Sequence, residues 1–560
     1  MNKQWQVCET DENTAKKIAD KFNLSMFISR LLVNKGITDD EKIPIFIKPT
    51  RDNFYDPFLM PDMEKATNRI VQAIEKKEKT IIYGDYDVDG ITSSVIFKKY
   101  LEERGLEVDI YIPNRLDEGY GLNENAIRDI ASKKYSLMIT VDCGITGNNE
   151  VDLANSLGLD VIITDHHEPS KTLPNAIAVV DAKREDNEYP FRGLAGVGVT
   201  FKTIQAISKK LDLPAESYLK YLDIVCIGTI SDIVPLEDEN RVISQLGLML
   251  IKQTKNIGLK VLLNNIGYTI IDSVAVSFGL APRINACGRM GHENVAVELF
   301  LTEDVEKAKE LTEELNRYNQ DRQNIEKKIF QEAVELAGNS KKHCVVVGKE
   351  GWHHGVIGIV SSKVTEMYGK PSILLCYEDG IARGSGRSIK GFDLHEALEK
   401  CDKYITQFGG HSMAVGITLE TKNLEKFTEE LNKYAEEKNI DSIVPVLLID
   451  QKIELRDLKI EDVKDLKILE PFGEANPVPK FQVSNLKIES IRTLSEGKHL
   501  KLTLKDETNK YLDVIGFNKG GLGEDYRIGD KVDVVGTLKI NEFNNTESIQ
   551  LVLDDIRHTL

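Results

Sequence analysis

Apolar residues recur along this chain with two periods, and the alternation between them predicts its architecture. Residues 1–60 show helical spacing over 15–22 and 25–35 with a loop at Lys48-Pro49-Thr50. They are expected to form a small lead-in that packs on the next segment. From there the pattern alternates: helix over 64–78, an apolar run from Ile81, helix over 92–104, strand over 108–112, helix over 123–132, strand over 136–141, helix over 150–157, strand over 160–164. Short apolar runs separated by helical stretches argue for βαβ units and a parallel sheet. A further apolar run over 224–230 reads as a strand. Between 302 and 336, Val305, Ala308, Leu311, Leu315, Tyr318, Ile325, Ile329 and Ala333 hold three-and-four spacing. That predicts one helix of about 50 Å, either a coiled-coil arm or, as read here, a connector between two α/β segments. The second segment opens with a strand over 343–347, continues through a strand over 372–376 and glycine-rich turns over 381–388, and ends near Gly409-Gly410-His411. Beyond 446, strands over 480–489, 499–505, 511–517, 531–540 and 547–552 suit a five-stranded barrel of the oligonucleotide-binding (OB) type. The predicted fold class is therefore multidomain α/β, with segments 1–60, 61–300, 301–337, 338–442 and 443–560.

Composition narrows the class without fixing the function. With 560 residues, the chain is too long for one core. A formal net charge of −18 argues against non-specific adhesion to nucleic acid or anionic membrane, so a polyanionic substrate needs a locally basic groove. The seven cysteines are dispersed, without the Cys-x-x-Cys pair of a zinc or redox site, and read as reduced thiols. No apolar run reaches a membrane-spanning length and no signal core opens the sequence, so a cytoplasmic protein is expected.

Candidate chemistry sits where the apolar runs end. Ile81-Ile82-Tyr83-Gly84 leads into Asp85, Asp87 and Asp89; 137–141 leads into Asp142-Cys143-Gly144; 161–164 leads into Asp165-His166-His167. Carboxyl ends of parallel strands form one sheet edge, where α/β folds place ligands. Acids packed this closely repel one another unless a hard divalent cation neutralises them, and adjacent histidines add the nitrogen that manganese accepts. Blander readings exist: each Asp can be a helix N-cap, and Asp-x-Asp-x-Asp-Gly also opens an EF-hand loop. The EF-hand reading fails at its last ligand, where Ile96 stands in place of Glu.

This set of motifs, in this order, resembles the DHH phosphoesterase superfamily. Gly196-Val197-Gly198, the stretch from Gly228 through Asp232 to Leu236, Leu280-Ala281-Pro282-Arg283-Ile284-Asn285 through Met290, and Glu470-Pro471-Phe472-Gly473 are similar to its RecJ branch, the single-strand-specific exonucleases. The resemblance, over residues 60 to 480, implies a DHH domain, a DHH-associated substrate domain after the connecting helix, and a metal-dependent 5′-to-3′ exonuclease of single-stranded DNA acting in recombination and repair. It implies that Asp87, Asp89, Asp142, His166 and Asp232 hold two Mn²⁺ ions, or Mg²⁺, with Asp142 bridging. Asp85 and Asp165 would support those ligands, and His167 would approach the scissile phosphate. By the same resemblance, Arg383, Ser385 and Arg387 bind phosphates, the last two the terminal 5′ phosphate, and His411 faces the metals. Arg115 helps from the first lobe, Tyr120 stacks on a base, and Arg283, Asn285 and Arg289 line the way in; each arginine can also be a surface ion pair. Without the resemblance, Asp232 reads as an N-cap, and His353 and His354 are expected to pack or hydrogen-bond.

With metal ions activating water and stabilising the transition state, no Ser, Cys or Lys nucleophile is required. Lys498, Lys501, Lys539 and Phe543 of the barrel are candidates for nucleic-acid contact. Two other functions remain open: a DHH phosphodiesterase of short oligonucleotides or cyclic dinucleotides, and an inactive DNA-binding scaffold. The expected partners, single-strand-binding protein and a RecQ-type helicase, and a monomeric state rest on the resemblance alone. Some relatives carry a further C-terminal domain, which leaves any partner contact made through it in doubt.

Overall fold

The structure is a computed structural model describing residues 3–115, 117–338, 342–543 and 546–559. It divides into two compact units, one of Tyr55–Val234 and Leu246–Val444, the other of Met1–Phe54, Pro235–Gln245 and Pro445–Leu560.

The first unit is built on a five-stranded, all-parallel sheet in the order Val108–Tyr111, Thr80–Tyr83, Leu137–Val141, Asp160–Thr164, Ala178–Val180. Its central strands are buried along their whole length, as continuous apolar runs require when helices cover both faces. On one face Ile81, Met138, Val161 and Ile163 pack against Ile127, Ile130 and Val151 of the crossover helices. The helices Val88–Glu102, Gly196–Lys210 and Leu222–Ser231 pack on one another. The last of these corrects the strand expected over 224–230. Leu222–Ser231 is buried all round, so its apolar run lacks the periodicity that separates helix from strand. Asp232 consequently caps the C-terminal end of a helix instead of opening one.

The connecting helix Val305–Ala337 is continuous and starts at Asp304, whose carboxylate accepts the Glu306 and Lys307 amides. It leads to a second sheet, ordered Gln407–His411, Ala414–Glu420, Ile381–Arg387, Ser372–Glu378, Val345–Glu350, antiparallel except for the final pair. The glycine-rich turns expected over 381–388 and at Gly409-Gly410 are strands of this sheet. Glycine serves close packing there: a Cβ on Gly384 would stand 2.4 Å from the Leu374 carbonyl, and one on Gly386 would stand 2.8 Å from Val415.

In the second unit, five strands (Phe481–Leu494, His499–Lys505, Tyr511–Gly516, Thr546–His558, Lys531–Phe543) pair in that order, and the last closes on the first to make a barrel. Residues 3–54 share this unit's core, not that of the segment following them in sequence, which corrects the lead-in expectation. Phe27 stacks on Phe481 at 5.3 Å, and Gln4–Val7 pairs in parallel with Val446–Ile449. Arg241, 1% exposed, binds this unit together from inside, donating to the Phe46 and Glu470 carbonyls at 2.6 and 2.7 Å. The side chain of Phe543 lies outside the described residues.

Candidate metal centre

All four acid-tipped positions of the parallel sheet lie at its carboxyl edge. Asp85 follows Thr80–Tyr83, Asp142 follows Leu137–Val141, Asp165 follows Asp160–Thr164, and Asp181 follows Ala178–Val180. The turns are tight for specific reasons. A Cβ on Gly90 would collide with the Asp85 backbone at 2.4 Å. Asp142 and Ile233 take left-handed backbone, φ +60 and +59, a conformation unfavourable for β-branched Ile233 in particular.

Three groups of ligand atoms lie within 4.8 Å of one another: Asp89, His166 and Asp232; Asp85, Asp87 and Asp142; Asp142, His166 and His167. Asp142 thus belongs to two groups, and its Oδ1 is 3.1 Å from His166 Nε2. That pair is close but not hydrogen-bonded: Asp85 Oδ1, Asp142 Oδ1 and His166 Nε2 are buried with no hydrogen-bond partner among the described residues. Buried lone pairs that converge without donors are what a divalent cation satisfies, and five carboxylates with an imidazole suit Mn²⁺ or Mg²⁺. These residues therefore fit such an ion.

Electrostatics agree. Burial, then the Asp87 charge, pushes Asp89 up to about 7. Burial and the Asp89 charge push Asp232 up to about 9, and Asp85 and Asp142 are held well above the usual carboxylate range by burial and neighbouring acids. Burial drives His166 down to about 3, which keeps its imidazole neutral and able to act as a ligand.

The supporting groups are equally specific. Asp87 caps the helix Val88–Glu102, accepting the Asp89 and Gly90 amides at 2.9 and 3.1 Å, so cap and cluster member are one residue. Asp89 accepts the amides of Gly196 and Val197, both at 2.7 Å, at the start of Gly196–Lys210. A Cβ on Gly196 would lie 2.7 Å from Asp142 Oδ1. Asp165 accepts from His167 Nδ1 at 2.7 Å and from the Ile145 amide at 2.9 Å. Burial raises that carboxyl, but the His167 contact outweighs it and holds Asp165 below its ordinary value; His167 is raised in return. Tyr120, expected to stack on a base, places its hydroxyl 3.0 Å from His167 Nδ1.

Sequence reasoning assigned no role to the Gly196 and Val197 amides, although a Gly-x-Gly at a helix start is a recognisable anion-binding signal. It also missed Asp181, because Ala178–Val180 is too short to show a period. His411, exposed at the end of its strand, makes no hydrogen bond or ion pair to the cluster among the described residues.

Arg115, Arg283, Arg289, Arg383 and Arg387 form no salt bridge among the described residues, although the charge of Arg115 reaches Asp85 and that of Asp87 reaches Arg289. Arg387 donates to Ser385 Oγ at 2.8 Å, and a Cβ on Gly358 would stand 3.4 Å from the Arg387 guanidinium. Arg383 and Ser385 line a cavity of about 390 Å³ with His354 and Phe408. Arg289 donates to the Gly355 carbonyl at 2.8 Å, and burial with the charges of Arg115 and Arg322 lowers it to about 10. Asn285 accepts the Val88 amide at 3.3 Å, beside Asp87. His353 caps its helix by accepting the Gly355 amide, as expected of a structural histidine.

Comparison with known proteins decides the family. The sequence matches the DHH family, N-terminal domain, over residues 79–229, the DHHA1 domain over 340–437 and the RecJ OB domain over 449–555. It is 40% identical over 560 residues to the single-stranded-DNA-specific exonuclease RecJ of Bacillus subtilis, covering 99% of this chain and 70% of the relative. The chain belongs to the RecJ family. The RecJ of Haemophilus influenzae is 32% identical, over 90% of this chain and 92% of its own. The crystal structure of RecJ in complex with Mn²⁺ from Thermus thermophilus superposes with a TM-score of 0.87 at 28% identity, covering all of this chain and 80% of the other. The Thermus RecJ is also known in complex with Mg²⁺.

Proposed function

We propose that this RecJ-family protein is a metal-dependent exonuclease that hydrolyses single-stranded DNA from its 5′ end. The observation that carries the reading is the pairing of an acid cluster fit for divalent cations with nearby arginines that form no salt bridge among the described residues. Asp87, Asp89, Asp142, His166 and Asp232 would hold two divalent ions, with Asp85 supporting them from the same cluster. Bound there, the ions would activate water and stabilise charge on the phosphate being cleaved.

The chain's own groups do the rest. The Gly196 and Val197 amides fix both Asp89 oxygens. Asp165 orients His167 through Nδ1, leaving Nε2 to hold a proton near the scissile group. Arg387 with Ser385 would take the terminal phosphate, and Arg289 and Arg115 would neutralise the phosphates that follow. The relatives named for single-stranded DNA support this substrate over short oligonucleotides. The intact set of acids supports an enzyme over a scaffold.

We further read it as a cytoplasmic monomer that works with single-strand-binding protein and a RecQ-type helicase. Among the described residues no helix is long and apolar enough to cross a membrane. The test is digestion of single strands labelled at either end, with and without a 5′ phosphate, with Mn²⁺ or Mg²⁺. Early release of the 5′ label is expected. Release of the 3′ label first, or no hydrolysis, would overturn the reading.

A further inference from the structure

A second surface of the larger unit has the make-up of a nucleic-acid track. Residues 246–290 carry Lys252, Lys255, Lys260, Arg283 and Arg289 against a single acid, Asp272, in a chain with 90 Asp and Glu. That one acid is engaged locally, accepting the Ala275 amide at 2.9 Å. The three lysines are exposed and form no salt bridge among the described residues.

Large apolar side chains are exposed on the same segment: Ile270 at 66%, Val274 at 46%, Phe278 at 70% and Tyr268 at 39%. Phe278 sits in a π-helical turn, Ala275–Leu280, that runs straight into the helix Ala281–Arg289. Wide turns of this kind displace side chains outward and recur at functional sites. Tyr268 lies against Gly279, where a Cβ would stand 3.0 Å from its ring. It also forms one wall of a cavity of about 330 Å³ whose rim includes Lys252 and Lys260. Positions 274, 278, 282 and 285 share one face of this helix. That face ends at Asn285, which holds the Val88 amide next to Asp87. From Phe278 to Asn285 the rise is roughly 10 Å.

We propose that this face binds the part of the single strand that has not yet been cut, with bases stacked on Phe278 and Tyr268 and phosphates neutralised by Lys252 and Lys260. The proposal rests on the single-strand reading above. An exposed aromatic beside unpaired lysines suits a strand with free bases, because stacking and backbone charge together hold single strands regardless of sequence.

The test is equilibrium binding of a fluorescent oligothymidylate of about 20 nucleotides to the full chain in EDTA, where nothing is cut. Phe278→Ala should weaken binding about tenfold and Phe278→Trp should restore it. The double variant Lys252→Gln/Lys260→Gln should flatten the dependence of log affinity on log salt by about 1.4. Phe278 is largely exposed, so an unchanged melting temperature is the control for folding. Wild-type affinity and salt slope in all variants would overturn the proposal, and so would a loss confined to self-association. A wild-type chain that binds the long strand but hydrolyses no DNA with Mn²⁺ would remove the nuclease reading and leave this surface standing.

Discussion

The two sheets of the larger unit carry opposite chemistry by opposite means. The parallel sheet is buried on both faces and puts its functional groups beyond its strands, where Asp85, Asp142 and Asp165 emerge into tight turns. The mixed sheet puts them along a strand, where glycines at 384 and 386 let neighbours close in between Arg383, Ser385 and Arg387. The first collects negative charge fit for cations; on the function proposed above, the second presents positive charge for phosphates. A nuclease active on a polyanion requires both, each useless if neutralised by the other.

Breaking the acid side should have the largest effect. Asp142→Ala removes one of the two residues, with His166, that belong to two ligand groups and should lower single-strand hydrolysis by more than about 10³-fold, with the fold retained by circular dichroism. Activity within tenfold of wild type would separate the acid cluster from the chemistry. The arginine side should be softer. Arg387→Ala should raise KM for 5′-phosphorylated strands by roughly 10- to 100-fold while kcat moves less, and Arg387→Lys should recover only part, because lysine lacks the planar fork. An equal effect on strands without the phosphate would place Arg387 elsewhere on the substrate.

What could be read in the sequence follows the same division. Chemistry at strand ends is legible, because an apolar run ending in Asp is a two-part signal, and the Asp-x-Asp-x-Asp and Asp-His-His turns stand where it places them. Chemistry along a strand is not. Ile381–Arg387 reads as a turn because its glycines, present for packing, look like punctuation. The Leu222–Ser231 helix fails for the converse reason: full burial removes the polar face that marks a helix, so Asp232 is assigned on resemblance and not on pattern. The first residues illustrate a third limit, since partners some 440 positions away, such as Val446 for Gln4, leave no local trace.

Two smaller effects sharpen the contrast. Gly196→Ala drives a methyl against Asp142 and should weaken Mn²⁺ binding by about 10- to 100-fold while leaving the arginine sheet and its phosphate affinity intact. Wild-type Mn²⁺ affinity would show that the helix start is not needed to shape the site. Burial and the neighbouring acids push Asp89 up to about 7 and Asp232 up to about 9, well above their unfolded value. A carboxyl raised in the folded state holds its proton more tightly there, so its contribution to stability is complete below the unfolded pKa and disappears as pH climbs through the folded one. Melting temperature in chelator should therefore fall from about pH 4, near the unfolded value, up to pH 9, and Mn²⁺ should raise it more at the upper end, where fewer protons must be displaced. A melting temperature flat across that window would contradict the crowding of acids described here.

The most direct test of the account is the number of Mn²⁺ ions bound per chain, counted by calorimetry with electron paramagnetic resonance to detect spin coupling. Two coupled ions are expected in the wild type, and one uncoupled ion in Asp232→Asn. A single ion in the wild type, or two in the variant, would contradict it.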